Sequence, residues 1–144
     1  MLQITKIFYF EMAHAIYGYE GPCKNIHGHS YELHVTISGI KEDSEYLPAP
    51  GFILDFKELK RIIVSGIIEV FDHKLLLSAS FLNKNPGMHS QENLIVWKVE
   101  PTAENILVYI RNTIAKNLPG GALLTALKLY ETKDSYAEWV NRKI

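Results

Sequence analysis

The sequence predicts an α+β protein built on a four-stranded antiparallel sheet with two helices on one face. Three observations carry this. Two N-terminal segments alternate apolar and polar side chains with the two-residue period of a strand. Two later segments repeat apolar side chains at helical spacing, and the last part of the chain returns to strand-like runs. The order strand, strand, helix, helix, strand, strand (β-β-α-α-β-β) puts the helices between two strand pairs, as α+β folds do.

Residues 2–13 read as the first strand, with Leu2, Ile4, Phe8, Phe10 and Met12 sharing one parity that only Lys6 breaks. Residues 15–26 read as a loop, because Tyr17, Gly18, Gly21 and Pro22 are turn signals. In the second strand, 29–39, Tyr31, Leu33, Val35 and Ile37 fall on one face and Glu32, His34, Thr36 and Ser38 on the other, with Gly39 as the stop. The charged, proline-containing stretch 40–51 reads as an exposed connection. A helix is expected from Asp55 or Phe56, since Asp55 followed by Glu58 resembles an N-terminal capping signal. Leu59, Ile62, Ile63, Ile67 and Val70 then form its stripe, with Gly66 as an internal weak point. Residues 83–87 look like a turn, and Leu94 to Val99 could form a short strand. The second helix follows Pro101, with Thr102 as its N-cap, and ends at Pro119-Gly120-Gly121. Residues 122–131 and 135–140 close the sheet.

A chain of 144 residues, 47% apolar, fits a single domain over 1–144 with a sizeable core. Fifteen Lys and Arg stand against 16 Asp and Glu, for a net charge of -1, so nothing in the charge argues for nucleic acid. No apolar run reaches the roughly 18 residues of a membrane span, and the N-terminus lacks a signal peptide's pattern. These features predict a cytoplasmic protein. The one cysteine, Cys23, rules out an intrachain disulfide. A lone cysteine is ordinarily a small buried hydrophobe.

The most informative stretch is Cys23-Lys-Asn-Ile-His27-Gly-His29. Two histidines two apart on an extended chain point to the same side. His14 continues the parity of Phe10 and Met12, and His29 that of Tyr31 and Leu33. Pairing of the first two strands would therefore gather three imidazoles at the ends of their apolar faces. Three neutral imidazoles plus an open position make a catalytic zinc arrangement, and zinc suits imidazole, although ligand type alone leaves other divalent metals open. A His-Gly-His pair by itself is weak evidence, and a single histidine such as His14 is more often structural.

Acid–base chemistry has its own candidates. Asp72 next to His73 can orient the imidazole and favour its charged form, making a proton relay, although the bland alternative is a histidine at a helix C-terminus. Cys23 lies four residues before a candidate ligand, where a nearby cation would raise its thiolate fraction. Glu131 ends an apolar strand, and its carboxylate could accept the adjacent N–H groups of a flat nitrogen heterocycle. His34 and His89 attract no role, and Trp97 and Trp139 read as packing residues.

Taken together these motifs resemble the 6-pyruvoyltetrahydropterin and 6-carboxytetrahydropterin synthase family. The matching pieces are Phe10-Glu-Met-Ala-His14, Cys23 through Tyr31, Asp55-Phe56-Lys57-Glu58-Leu59-Lys60, Asp72-His73, Pro101-Thr102-Ala103-Glu104-Asn105 and Glu131-Thr132. The resemblance implies the tunnelling fold, or T-fold, assembled as a homo-oligomer, commonly a hexamer made of two trimers, with active sites at subunit interfaces. It implies Zn2+ on His14, His27 and His29, Cys23 as proton acceptor, and Asp72 and His73 as the relay, acting on a site whose zinc belongs to a neighbour. Glu131 would anchor the pterin, with Thr102 near its end.

The implied substrate is 7,8-dihydroneopterin triphosphate. One branch of the family eliminates triphosphate to give the 6-pyruvoyl product. The other loses triphosphate and acetaldehyde to give 6-carboxytetrahydropterin, on the route to queuosine and deazapurines. The Cys-x3-His-Gly-His spacing and Ile53-Leu-Asp55-Phe56 favour the carboxy branch. This chain departs from the family in Lys74-Leu-Leu-Leu-Ser78, where Asn often follows the Asp-His pair, and in a longer segment over 79–100. A non-catalytic zinc-binding oligomer on the same fold is the alternative of another class.

Overall fold

The computed structural model describes residues 1–39 and 46–143, so part of the expected 40–51 connection lies outside the described residues. Strand β1 (Gln3–His14) pairs antiparallel with β2 (His27–Gly39) in an unbroken register from Gln3 opposite Ser38 to His14 opposite His27. The alternation works as read: Phe8, Phe10 and Met12 on β1 and Tyr31, Leu33, Val35 and Ile37 on β2 are all buried on one face. Phe10 stands opposite Tyr31, and their rings stack with centroids 5.0 Å apart. Each such side chain contributes roughly 1.5–3 kcal/mol by leaving water, so a one-residue slip, which would turn the whole set outward, is strongly disfavoured.

β2 continues antiparallel into β5 (Ala122–Thr132), and β5 into β6 (Ser135–Val140). These are the four expected strands, adjacent as β1-β2-β5-β6. The sheet nevertheless has six strands, not four, in the order β4-β3-β1-β2-β5-β6. The additions are β3 (Lys74–Ser78), which runs parallel to the end of β1, and β4 (Leu94–Trp97), parallel to β3. β3 carries no alternation to betray it, because Leu75, Leu76 and Leu77 are all buried. An inner parallel strand covered on both sides reads as a continuous apolar run.

The covering elements explain this. On one face the main core joins β1, β2 and β5 to α1 (Phe56–Ile63), α2 (Glu69–Phe71) and α4 (Ala103–Asn117). A smaller cluster of Ala15, Leu75, Leu77, Phe81 and Leu82, with Ala13 against it, packs α3 (Ala79–Lys84) on the other side of β3. Asp55 caps α1, its carboxylate accepting from the Lys57 N–H at 2.8 Å.

Between α1 and α2 the helix widens into a π-helical turn, Val64–Ile68. The buried side chains Leu59, Ile63, Ile67 and Phe71 come four apart, a spacing that drifts by ~40° per step in an α-helix. The wider turn offsets that drift and keeps the stripe on the sheet. Gly66 lies in this turn, where a Cβ would come within 3.2 Å of the Thr113 methyl on α4. Thr102 caps α4 through its hydroxyl, which accepts from the Asn105 N–H at 3.3 Å. No described helix is long and apolar enough to cross a membrane.

Candidate metal centre and its cavity

His14, His27 and His29 converge. Strand pairing sets His14 directly opposite His27 and Met12 opposite His29, so the three rings leave one face of one hairpin. Their centroids lie 4.7, 5.1 and 4.9 Å apart, and one nitrogen of each falls within 4.8 Å of the others.

The rings are also oriented. His14 Nδ1 lies 2.7 Å from the Pro101 carbonyl oxygen, and His27 Nδ1 lies 2.8 Å from the Asn25 carbonyl oxygen. A carbonyl only accepts, so each Nδ1 carries the proton and donates it. Both Nε2 atoms are then left with lone pairs, yet they face each other at 3.2 Å. Two lone pairs cannot satisfy one another; a cation between them satisfies both. Tetrahedral coordination at zinc–nitrogen bonds of 2.0–2.1 Å would space such nitrogens about 3.3 Å apart. His29 Nε2 is buried without a hydrogen-bond partner among the described residues, the Glu131 carboxylate being 3.8 Å off. An orphaned nitrogen beside two apposed lone pairs fits a metal ion, and the outer carbonyl partners are those a histidine ligand needs.

The electrostatics agree. Burial pushes His14 down from the ordinary 6.5 to about 4; the Pro101 carbonyl opposes the shift, and His27 and His29 add to it. Burial likewise lowers His29, against the pull of Glu131 and with help from His27. Neutral imidazole is the form that binds metal. Behind the rings lies Tyr31, fully buried, its phenol held well above its usual range by burial and then by Glu131.

A cavity of about 350 Å³ opens beside the centre, lined by His14, Cys23, Thr102, Glu104, Glu131 and Tyr136 among others. Cys23 is exposed at its wall rather than buried as lone cysteines usually are. It sits in a one-turn 3-10 helix, Pro22–Lys24, on the 15–26 loop. Glu131 keeps the parity of Leu127 and Leu129, and β5 and β6 lose register beside it between Tyr130 and Thr132. Thr102 and Glu104 enter from the start of α4.

Asp72 and His73 do not line this cavity. They form the corner between α2 and β3, and His73 borders a second groove with Glu11, His29, Ser30 and Asn93. His73 adopts φ 61°, the left-handed region seldom used by a non-glycine residue. The corner is held in this conformation by β1: the His73 N–H donates to the Glu11 carbonyl at 2.6 Å, and the Glu11 N–H donates to Asp72 Oδ1 at 2.9 Å. His73 Nδ1 lies 3.0 Å from Asp72 Oδ2, with the imidazole 79% exposed. The Glu11 N–H and then His73 hold the Asp72 carboxyl below its usual range.

Sequence reasoning missed the Pro101 and Asn25 carbonyls, since backbone acceptors leave no residue signature, and it missed Glu104 and Tyr136 as cavity walls. Glu104 lies within the Pro101–Asn105 motif, which could have pointed to it.

A mixed sheet with two long helical elements over one face, and a three-histidine centre beside a free thiol, define a T-fold protein with a candidate metal-dependent site. The sequence profile described as 6-pyruvoyl tetrahydropterin synthase matches residues 3–142, and the chain belongs to that family. Over 142 residues it is 31% identical to the 6-carboxy-5,6,7,8-tetrahydropterin synthase of Rickettsia typhi, covering 96% of this chain and 99% of the relative. It is 33% identical over 123 residues to the dihydroneopterin monophosphate aldolase of Pyrococcus furiosus, covering 85% and 82%. The 6-pyruvoyl tetrahydropterin synthase structure of Caenorhabditis elegans superposes with a TM-score of 0.69 at 20% identity, covering 97% of this chain and 95% of that one, a likeness of fold.

Proposed function

We propose that this chain is a zinc-dependent 6-carboxytetrahydropterin synthase, a lyase that converts 7,8-dihydroneopterin triphosphate to 6-carboxy-5,6,7,8-tetrahydropterin with loss of triphosphate and acetaldehyde. The observation that carries the reading is the three-imidazole cluster whose His14 shares a cavity wall with Cys23, Thr102 and Glu131. The near-full-length relatives with the same printed activity support it. Its product would serve queuosine and deazapurine synthesis in the cytoplasm.

His14, His27 and His29 would hold the zinc, which when bound supplies Lewis acidity to the substrate's side-chain hydroxyls. Glu131 accepts hydrogen bonds from the pterin's N–H groups and fixes the ring's direction in the cavity. Thr102 bounds the pterin end. Cys23 Sγ, as thiolate, takes a proton from the substrate side chain. The Asp72–His73 pair carries protons at the imidazole nitrogens, with Asp72 steadying the charged ring. The pair lines a groove next to His29 rather than the Cys23 cavity, and in the proposed reaction it serves the cavity of a second copy of the chain. The proposed assembly is therefore a homo-oligomer, a hexamer of two trimers, in which the corner of one copy reaches the cavity of another.

A second reading has one observation behind it: the relative named as an aldolase of dihydroneopterin monophosphate. Incubating zinc-loaded protein with the triphosphate and the monophosphate, and resolving products by mass, separates the readings. 6-Carboxytetrahydropterin with acetaldehyde is expected. A 6-pyruvoyl product, or turnover of the monophosphate alone, would replace the carboxy assignment with the pyruvoyl or aldolase one. Zinc binding without turnover of either compound would leave a non-catalytic metal protein.

A further inference from the structure

We propose that Glu100 is a positioning residue for the Cys23 thiol, its carboxylate tethering the loop that carries Cys23 to the same backbone step that orients the His14 ring. The proposal rests on the reading of Cys23 as proton acceptor.

The loop needs a tether. Residues 17–20 and 22–26 are all exposed, so little apolar packing holds them. The loop closes on itself where the Ile16 N–H donates to the Cys23 carbonyl at 2.8 Å, which makes Cys23 move with Ile16. The next N–H along, that of Tyr17, donates to Glu100 Oε1 at 2.7 Å. A backbone N–H on a carboxylate is a charge-assisted bond, stronger than the neutral turns elsewhere in the loop. The grip passes from Glu100 to Tyr17, through Ile16, to Cys23.

Glu100 is itself fixed. Its carbonyl accepts from the Asn105 side-chain amide and from the Thr102 N–H, both at 2.9 Å. The following residue, Pro101, offers the carbonyl that receives His14 Nδ1–H. The residue after that, Thr102, caps α4 and lines the cavity. Three consecutive residues thus set the thiol loop, a metal-ligating ring and a cavity wall against one frame. Catalysis by a positioned base is sensitive to displacements of about 1 Å, so the Glu100 tether bears on rate, while the Pro101 carbonyl orients the metal-ligating ring.

The test uses the metal-loaded full chain and three substitutions. Cys23 is the sole cysteine, so the rate of reaction with iodoacetamide reads its loop without any assay of turnover. Glu100→Ala removes the acceptor, Glu100→Asp keeps the charge but shortens the reach, and Glu100→Gln keeps both reach and an accepting oxygen. Loss of one such bond predicts a fall in kcat of roughly tenfold in E100A and E100D, with KM within about twofold and a severalfold change in thiol alkylation rate. E100Q should stay within about threefold of the parent in both readings, and all three should bind as much zinc as the parent.

Unchanged alkylation and kcat in E100A and E100D would overturn the proposal. So would an E100D that matches the parent while E100A is impaired, which would assign the effect to charge without reach, or loss of zinc from the variants, which would assign it to the metal centre. If E100A fails to fold, the contrast between E100D and E100Q still decides. Absence of turnover in the parent would count against the catalytic reading alone, because alkylation continues to report the tether.

Discussion

The two clusters of functional side chains are built in opposite ways. The histidine centre stands on two long strands in register, with His14 only 2% exposed, two rings locked by carbonyls and all three facing inward. The Asp72–His73 corner stands on a single turn in a left-handed backbone conformation, with its imidazole mostly in solvent. The first is prepared to receive a ligand within one chain. The second has its carboxylate and backbone pinned to β1, while its ring projects largely into solvent. Rigid burial suits a group that must remain a neutral ligand. Exposure suits the proposed role, in which the ring would complete the site of another copy and exchange protons there.

The largest effects should come from breaking the buried side. Replacing His27 or His29 with Ala removes a direct ligand; even outer partners of such ligands are worth ~10–100-fold in affinity, so a loss beyond ~100-fold is expected, read by metal content after dialysis. Cys23→Ala should keep the metal and lower kcat by ~100–10,000-fold, the usual worth of a positioned proton acceptor. Equal metal content with undiminished turnover would remove Cys23 from the chemistry. Asp72→Asn should cost less, ~10–100-fold in kcat, because the His73 ring remains while the carboxylate 3.0 Å from its Nδ1 is lost. Mixed oligomers of C23A and D72N chains should then regain activity above either parent, and failure to do so would place both groups in one chain's site. The last effect concerns the stability of the metal-free fold. His14 titrates near 4 when folded and near 6.5 when unfolded, so its contribution is whole above 6.5 and declines as pH falls from 6.5 toward 4. That amounts to about 3 kcal/mol, read by denaturant titration across this window, with zinc suppressing the change.

The sequence revealed whatever was written in side-chain period. β1 and β2, their faces and the convergence of His14, His27 and His29 came from parity alone, and the caps Asp55 and Thr102 stand where their chemistry predicted. β3 stayed hidden because a strand buried on both faces does not alternate; its neighbour β4 falls within the 94–99 stretch read as a possible short strand, but its place in the sheet depends on the hidden β3. The tie between Asp72 and Glu11 spans 61 residues and runs through a backbone N–H, so no local motif announces it. The carbonyls of Pro101 and Asn25 were invisible for the same reason. Glu131 stood out as a carboxylate ending an apolar strand, Thr102's place near a pterin came from the resemblance, and the cavity brings both together with Cys23.

The widened helical turn at Val64–Ile68 sets more than a packing stripe. Each residue added to a helix rotates the downstream chain by ~100°. Deleting one residue from the bulge would restore ordinary winding with the stripe still on the sheet, because the surplus residue is absorbed in the widened turn. A deletion here would therefore leave the corner and the three imidazoles in place, whereas the same deletion in the regular turns of α1 would swing Asp72 away from the Glu11 N–H it now meets.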